Sequence, residues 1–471
     1  MTTSIKHIFF SLFVLQAVLL ISCDKPEGPP PPPVPGDTAV HVTALTIDPP
    51  EFVLLPTLTW QLSVNAIPAN AGNKKVSWNS SDNLIATVDT NGLVTAIKVG
   101  SADITATSYD NNSVKAMARL TVLKNYDVYA VGRGYTSSWD NCAVYWKNGV
   151  KSGLPGGFTV GTNAFAIVLS GEDVYIAGDT ENENHWDIPT YWKNGMPHII
   201  GNTAVTHNSF TKAIAVDGNK VYLAGYGFYN SECPAYCHGR SRAFYWLDDA
   251  GTATQTPLYN DISSTVAGGI ALKGNDVFVA GGQANDNFYR WSTVWKNNVS
   301  NVETLSATSG FYETNAIAWH GDDLFITGFG GCADFGCNAT PVLIKNNINN
   351  VISLTDGTKD AQAYCMAFSG DVIYVGGYEK NEAGKYVAKY WKISGNTVSS
   401  RTLSDGVKSS LVNGIAVSGD DIFLIGSELS DAGERKAKCW RAYEGFSTPA
   451  SLDLSDFYLP NGYYGYGICI R

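Results

Sequence analysis

A group of carboxylates in the middle of the chain could do acid–base chemistry. Two such groups flanking a glycosidic bond can act as acid and base in its hydrolysis. The chain has neither the His-Glu-x-x-His pattern of a zinc hydrolase nor a serine-centred nucleophile elbow. Glycan cleavage is therefore one open hypothesis, and no catalytic residue is predicted. The carboxylates in question are Asp179, Glu181, Glu183, Asp187 and Asp286.

The composition predicts an acidic, all-β protein. Aromatic residues make up 12% of the chain, glycines number 47 and only 16% of residues are charged, a balance that favours strands and turns. The net charge is −11. A nucleic acid or an anionic bilayer would select a basic stripe, which the sequence lacks. We therefore expect no nucleic-acid partner and membrane contact only through a lipid anchor.

Residues 1–22 have the pattern of a signal peptide. Lys6 precedes an apolar stretch that is shorter than the about 20 residues needed to cross a bilayer. The stretch ends in Leu20-Ile21-Ser22-Cys23, which resembles the lipobox of bacterial lipoproteins. This resemblance implies that Cys23 is acylated and becomes the mature N-terminus. An ordinary secretory signal with a chance cysteine is the alternative.

Residues 23–39 are predicted to be a proline-rich linker. Consecutive prolines from Pro29 to Pro33 favour a stiff, extended spacer. The charged residues that follow Cys23 resemble the signal that sends some lipoproteins to the outer face of the outer membrane. We therefore predict a protein lipid-anchored in the bacterial envelope and facing outward.

Two close pairs of cysteines lie in predicted loops. Cys233 and Cys237 form one pair, and Cys332 and Cys337 form the other. Disulfides persist in an oxidising compartment, whereas zinc sites more often combine two-residue spacing with a second pair nearby. The spacing favours two local disulfides, with metal coordination as the alternative.

Residues 40–124 show short alternating strands separated by turns. The alternation is clear in Leu58–Val64 and Ala118–Val122 and is typical of a β-sandwich. The segments Val76–Asp82, Ile85–Ala96 and Gly100–Ala106 resemble the group 2 bacterial immunoglobulin-like domain. This resemblance implies an immunoglobulin-like β-sandwich, and most such modules act as spacers.

Residues 125–471 repeat a hydrophobic hairpin and a later aromatic strand. The hairpin, first complete in Ala166–Gly178, occurs six times around a Gly followed by Asp, Asn or Glu, which is tight-turn chemistry. A second signature, first seen as Val144-Tyr-Trp-Lys-Asn-Gly149, occurs seven times and ends in another turn in several copies. Four strands per repeat predict the blades of a β-propeller. The hydrophobic run ending in Gly, followed later by Tyr-Trp, resembles kelch repeats in geometry.

The seventh repeat is split between the two ends of this segment. Tyr126–Gly132 matches only the second half of the hairpin, and Gly467–Arg471 matches the first half. Pairing of the two would close the ring and remove exposed sheet edges. The sequence thus predicts a seven-bladed β-propeller with C-terminal strand closure.

The long loops of the repeats are predicted to share one face, which carries many aromatic residues. Flat rings stack on sugars and also anchor protein partners, although such residues can instead pin their own loops. The ligand-binding candidates among them are Trp186, Tyr289, Trp291, Phe311 and Tyr312.

The type of residue varies widely at one position of the repeat. We expect this position to lie directly before the innermost strand, at the mouth of the central channel. Across the blades it holds Phe165, Lys212, Gly268, Asn315, Tyr364, Asn413 and Tyr466. Such variety beside uniformly small or aliphatic neighbours predicts a ligand contact, and tolerance of an exposed site is the alternative. The ligand-binding candidates taken from this position are Lys212, Asn315, Tyr364, Asn413 and Tyr466.

The sequence as a whole favours a cell-surface binding or scaffold protein. A polysaccharide is the leading partner and an envelope protein is the next. Glycan cleavage is the alternative from a different functional class. We expect no cofactor and no metal ion.

Overall fold

A computed structural model of the chain consists of strands, turns and loops. The residues that it describes are 39–135, 140–154, 161–183, 185–200, 208–228, 241–258, 264–284, 290–297, 299–302, 311–331, 338–347, 350–443, 450–452 and 463–471. No helix occurs in these ranges, as the composition predicted. Within them, no helix is long and apolar enough to cross a membrane. The chain divides into two compact units between Asn125 and Tyr126.

The first unit is a β-sandwich. Its strands are β1 (Ala44–Asp48), β2 (Glu51–Leu54), β3 (Thr59–Gln61), β4 (Ser63–Ile67), β5 (Val76–Ser80), β6 (Ala86–Val88), β7 (Leu93–Ala96), β8 (Gly100–Ser108) and β9 (Lys115–Val122). One sheet has the order β2-β9-β8-β5, another has the order β3-β7-β6, and β1 pairs with β4. Val94, Ile104 and Leu120 are fully buried in its core.

The alternating stretch Leu58–Val64 forms parts of two strands rather than one. The break falls at Leu62, whose N–H donates to the carbonyl of Gly92 at 3.0 Å while its side chain enters the core. The chain changes sheets at this residue, from β3 to β4. The alternation of residue types continues through the break although every residue of β3 is exposed, so the sequence pattern alone does not reveal the change of sheet.

The second unit contains seven antiparallel four-stranded sheets in its described residues. Its strands are β10 (Val128–Tyr135), β11 (Asn141–Lys147), β12 (Val150–Gly153), β13 (Asn163–Ser170), β14 (Asp173–Glu181), β15 (Asp187–Lys193), β16 (Met196–Ile199), β17 (Ser209–Asp217), β18 (Lys220–Phe228), β19 (Ser241–Asp249), β20 (Thr252–Pro257), β21 (Ser264–Lys273), β22 (Asp276–Ala284), β23 (Arg290–Lys296), β24 (Val299–Val302), β25 (Phe311–His320), β26 (Asp323–Gly331), β27 (Thr340–Lys345), β28 (Val351–Ser353), β29 (Ala361–Ser369), β30 (Val372–Lys380), β31 (Tyr386–Ser394), β32 (Thr397–Thr402), β33 (Ser410–Ser418), β34 (Asp421–Leu429), β35 (Arg435–Tyr443), β36 (Ala450–Leu452) and β37 (Tyr463–Ile470).

Each sheet is one propeller blade. The first blade consists of β37, β10, β11 and β12, and the second to seventh blades are β13–β16, β17–β20, β21–β24, β25–β28, β29–β32 and β33–β36. The innermost strands contact one another in this order, and β37 contacts both β33 and β13. Ile470 of β37 lies opposite Val128 of β10. These contacts are those of a seven-bladed propeller and are consistent with closure by the C-terminal strand.

The repeated Trp-Lys-Asn signature forms a clamp at the turn after the third strand. In the second blade, Asn194 has a positive φ of 51°, accepts a 2.8 Å hydrogen bond from the N–H of Val174 and donates a 2.7 Å bond to Asp173. Lys193 pairs with the same carboxylate at 2.9 Å. Lys193 and Asn194 therefore hold the pKa of Asp173 below its usual value. The clamp recurs at Asp127, Asp276 and Asp323, so these acids tie strands together, a role beyond the turn chemistry that the sequence suggested.

Candidate functional site

Each innermost strand contains one β-bulge in its first half. The unpaired residues are Phe165, Lys212, Gly268, Asn315, Tyr364, Asn413 and Tyr466, which we call the bulge ring. The expectation that this position precedes the strand is therefore wrong, because the ladder begins earlier and resumes after the extra residue. A bulge re-aims the side chain that it leaves unpaired. The seven bulges therefore account for the chemical variety of this one position.

A glycine on the second strand makes room for each bulge. A Cβ on Gly377 would collide with the carbonyl oxygen of Gln362, which lies two residues before Tyr364. The same collision occurs at the corresponding glycine of every other blade. These glycines are Gly132, Gly178, Gly225, Gly281, Gly328 and Gly426. The glycine that ends each hairpin repeat is thus needed for the close approach of a backbone carbonyl.

Three neighbouring members of the bulge ring form an aromatic and cationic surface. The ring centres of Phe165 and Tyr466 are 5.3 Å apart. Nζ of Lys212 lies 4.2 Å from the centre of the Phe165 ring and 5.9 Å from that of Tyr226, within the range of a cation–π contact. Burial raises the pKa of Tyr466 to about 12, so its hydroxyl stays protonated.

The asparagines of the bulge ring join neighbouring blades. Nδ2 of Asn315 donates to the carbonyl of Ala363, and Nδ2 of Asn413 donates to the carbonyl of Gly465, both at 2.8 Å. Each acceptor directly precedes the ring residue of the next blade. Tyr364 donates a 2.6 Å hydrogen bond to Oε1 of Gln362. The two asparagine side chains therefore have a structural role in the ring.

A buried carboxyl group interacts with the charge of Lys212. Asp179 is completely buried and accepts a 2.8 Å hydrogen bond from Nδ2 of Asn163, while its Oδ1 has no partner among the described residues. Burial, and then the charge of Asp187, raises the pKa of Asp179 to about 8. Burial also lowers the pKa of Lys212. A catalytic acid must reach its substrate, and Asp179 exposes no surface for that purpose.

Two further carboxylates lie close to Asp179. Glu181 and Asp187 face each other across β14 and β15, and Glu181 pairs with His185 at 2.7 Å. Burial and the charge of Glu181 raise the pKa of Asp187 to about 6. Of the carboxylates proposed from sequence, the structure thus brings three together. Glu183 is exposed, and Asp286 lies outside the described residues.

Two arginines beside the bulge ring were missed by sequence reasoning. The guanidinium carbons of Arg133 and Arg435 lie 5.0 Å and 5.7 Å from the centre of the Tyr464 ring. Tyr464 is itself nearly parallel to Tyr466, with 7° between the planes and 6.1 Å between the centres. Arg133 directly follows a hairpin glycine, a position that also holds Asp179 and differs between repeats. The variation at this position was the signal in the sequence that could have identified Arg133.

The aromatic candidates from the predicted loops lie in different elements of the structure. Trp186 is half-buried in the turn between β14 and β15, where its backbone N–H donates to Oδ1 of Asn182 at 3.0 Å. Trp291 is in β23 opposite Gln283, and Phe311 and Tyr312 are in β25. These last three belong to strands rather than loops, because the strand pairing extends further than the turn residues suggested.

The remaining predicted site residues lie outside the described part of the chain. They are Cys23, Cys233, Cys237, Tyr289, Cys332 and Cys337. Within the described part, no group of three or more His, Cys, Asp or Glu residues is placed to hold a metal ion.

Comparison with known families identifies the first domain. Residues 41–118 match the model of the bacterial Ig-like domain (group 2). This match confirms the immunoglobulin-like domain that the sequence predicted.

Curated relatives match only short stretches of the chain. An uncharacterized protein of Clostridium acetobutylicum is 40% identical over 89 residues, which is 19% of this chain and 9% of that protein. A 3-O-α-D-galactosyl-α-L-arabinofuranosidase of Bifidobacterium longum is 37% identical over 67 residues, which is 14% of this chain and 6% of the enzyme. An α-L-arabinofuranosidase of the same species is 35% identical over 85 residues, 18% of this chain and 8% of the enzyme. The chain thus spans less than a tenth of the length of each of these three relatives.

The chain is similar to solved structures at low sequence identity, and one of them is a β-propeller domain. The β-propeller domain of the Trilobed protease from Pyrococcus furiosus has a TM-score of 0.41 at 10% identity, covering 77% of this chain and 97% of that one. A puromycin-hydrolyzing peptidase of Mycobacterium tuberculosis has a TM-score of 0.45 at 10% identity, covering 81% of this chain and 53% of that one. Both identities are too low to indicate a shared activity.

Proposed function

We propose that this chain is a cell-surface lipoprotein whose propeller binds a glycan at the bulge ring. The observation that carries the proposal is the row of Tyr466, Phe165 and Lys212, which comes from three successive blades. Aromatic faces stack on sugar rings, and a few polar groups among apolar side chains fix the orientation of a bound ligand. We also propose that the blades share the geometry of kelch repeats.

Carbohydrate chemistry is favoured over a purely apolar ligand by the polar members of the site. The ammonium group of Lys212 carries donors suited to sugar hydroxyl groups, the Tyr364 hydroxyl can accept a hydrogen bond while it donates to Gln362, and both side chains are partly exposed. The names of two matched relatives, both arabinofuranosidases, fit a carbohydrate setting. An envelope protein is the alternative ligand, since the same aromatic surface could anchor a protein partner.

Glycan cleavage is a second candidate function. The observation that favours it is the pairing of Asp187 with Glu181, because Asp187 is only partly buried and its pKa is raised to about 6. A carboxyl group with such a pKa is suited to proton transfer near neutral pH. Release of reducing sugars that is abolished in Asp187→Asn would support this function.

Binding can be tested with a panel of soluble polysaccharides and purified protein. We expect Phe165→Ala to weaken retention of the bound polysaccharide about tenfold, the effect of losing roughly 1.4 kcal/mol of stacking. Tyr109→Ala is the matched control, because Tyr109 is exposed in the first domain. If no polysaccharide is retained or cleaved, both sugar hypotheses are wrong and a protein partner remains.

The lipid anchor is tested separately from ligand binding. Cys23→Ala removes the proposed acylation site, and we expect this variant to leave the membrane fraction because acyl chains provide the anchoring energy. Continued membrane association of the unacylated variant would contradict the lipoprotein proposal. Surface accessibility of the wild-type protein to protease in intact cells would test the outward orientation.

A further inference from the structure

We propose that the bulge-ring site selects an acidic glycan, and that Arg133 and Arg435 recognise its carboxylate groups. The inference rests on the proposed glycan function and adds the charge of the ligand to it. The two arginines belong to β10 and β35, in the first and seventh blades, and meet at Tyr464 of β37. One tyrosine ring thus brings two guanidinium groups to the same edge of the bulge ring.

Neither arginine has a carboxylate partner among the described residues. Arg435 donates one 3.2 Å hydrogen bond to the hydroxyl of Ser427. Nε of Arg133 is buried without any hydrogen-bond partner in the described part of the chain. Partly buried charges are normally paired, because desolvation without a partner is costly. The positive charge at this edge is therefore left for a group outside the described residues to neutralise.

Several other lysine and arginine side chains of the propeller form ion pairs, in contrast to Arg133 and Arg435. Lys193 and Lys296 pair with Asp173 and Asp276 at the hairpin turns. On the third strands, Lys438 pairs with Glu428 at 2.6 Å, and Lys389 pairs with Glu379. In the seventh blade, Arg441 pairs with the buried Asp421 at 2.7 Å. Ion pairing is thus the common arrangement in this unit, and Arg133 and Arg435 depart from it.

The carboxyl group that interacts with Lys212 does not cancel the positive charge of the site. Asp179 acts on Lys212, but burial favours its neutral form and raises its pKa to about 8. Burial and the charge of Arg133 lower the pKa of Lys212. The two guanidinium groups therefore supply the positive charge at this edge of the site.

The chemistry of the site suits a carboxylate on a sugar ring. A guanidinium group matches a carboxylate through two parallel hydrogen bonds, and the nearly parallel rings of Tyr464 and Tyr466 lie beside the two guanidinium groups. The chain as a whole carries a net charge of −11. A polyanion would therefore be repelled by most of the molecule, which restricts its binding to a local positive site.

The experiment compares acidic polysaccharides with their carboxyl-reduced, neutral forms. Polygalacturonate, alginate and hyaluronan are each titrated into the full chain at low salt, before and after chemical reduction of their carboxylates. We expect at least one acidic polymer to bind about tenfold or more tightly than its reduced form. In the Arg133→Gln, Arg435→Gln double variant this preference is expected to disappear while binding of the reduced form is retained.

Arg401→Gln is the matched control, because Arg401 lies on the outermost strand of the sixth blade. Melting temperatures of all variants establish that each is folded. Equal binding of acidic and reduced polymers would overturn the charge selection and leave the glycan function intact. An acidic preference that survives in the double variant would overturn the assignment to these arginines. Binding of no polymer in either form would overturn the glycan function and this inference with it.

Discussion

Nδ2 of Asn413 donates a 2.8 Å hydrogen bond to the carbonyl oxygen of Gly465, which links the seventh blade to the C-terminal strand of the first. Asn413→Ala should therefore destabilise the propeller by about 1–2 kcal/mol, because the carbonyl loses its donor. The measurement is chemical denaturation followed by tryptophan fluorescence. Asn396→Ala, at an exposed turn of the sixth blade, should leave the midpoint unchanged, and equal effects of the two substitutions would argue against the inter-blade bond.

Gly377→Ala should destabilise the propeller strongly. The added Cβ would collide with the backbone carbonyl of Gln362, and a backbone atom in a ladder cannot move aside without breaking the bulge. Gly153→Ala is the matched control, since a Cβ there meets nothing within 4 Å. We expect a fall of several degrees in melting temperature, or insoluble protein, for the first variant only. A Gly377→Ala protein as stable as the control would mean that the bulge is not required.

The hairpins and the blade number could be read from the sequence, but the bulges could not. Glycine followed by an acid or amide marks each turn locally, and the seven copies of the later strand signature count the blades. A bulge is a property of pairing between two strands, so the residue that it displaces, such as Phe165, shows no local signal of its own. The sequence carried two traces, the chemical variety at the displaced position and the constant glycine on the facing strand, Gly178 in that blade. Neither trace identifies a bulge by itself.

Asp179 should make the stability of the propeller depend on pH. Its folded-state pKa of about 8 lies above the about 3.9 of an unfolded aspartate. Its contribution to stability is therefore complete below pH 4 and is lost as the pH rises through 8. Asp179→Asn cannot ionise, so its melting temperature should exceed that of the wild type by a few degrees at pH 9 and differ little at pH 4.

Thermal melts between pH 4 and pH 9 would measure this difference. Glu183→Gln is the control, because Glu183 is exposed on the same hairpin. A lower melting temperature of Asp179→Asn at pH 9 would show instead that Asp179 is ionised and stabilised by Lys212.

Deletion of Tyr466–Arg471 should destabilise the first blade. These residues supply ladder partners for Val128 and Ala130, and the deletion also removes Ile468 from the core around Trp146. Several hydrogen bonds, each worth about 0.5–1.5 kcal/mol, are lost together with this apolar burial. Because domains are stable by only about 5–15 kcal/mol, we expect aggregation or a large fall in melting temperature. A melting temperature within a degree or two of the full-length value would contradict closure of the ring.

The residues of the candidate site were only partly predictable from the sequence, because some of their contacts join strands that are distant along the chain. Variation at one repeat position pointed to Lys212 and Tyr466, since a ligand contact departs from the repeat. Arg133 and Arg435 are separated by some three hundred residues and meet only because β37 closes the ring between them. Contacts of that kind depend on the closed arrangement of the blades, which no local pattern records.

Hydrogen–deuterium exchange with a bound polysaccharide tests the central claim most directly. The full chain is compared with and without the acidic polymer that binds it most tightly. We expect slower exchange in the innermost and second strands that carry the site, at residues 131–135, 164–167 and 463–467. Unchanged exchange in these segments, with protection confined to residues 41–118, would contradict glycan binding at the bulge ring.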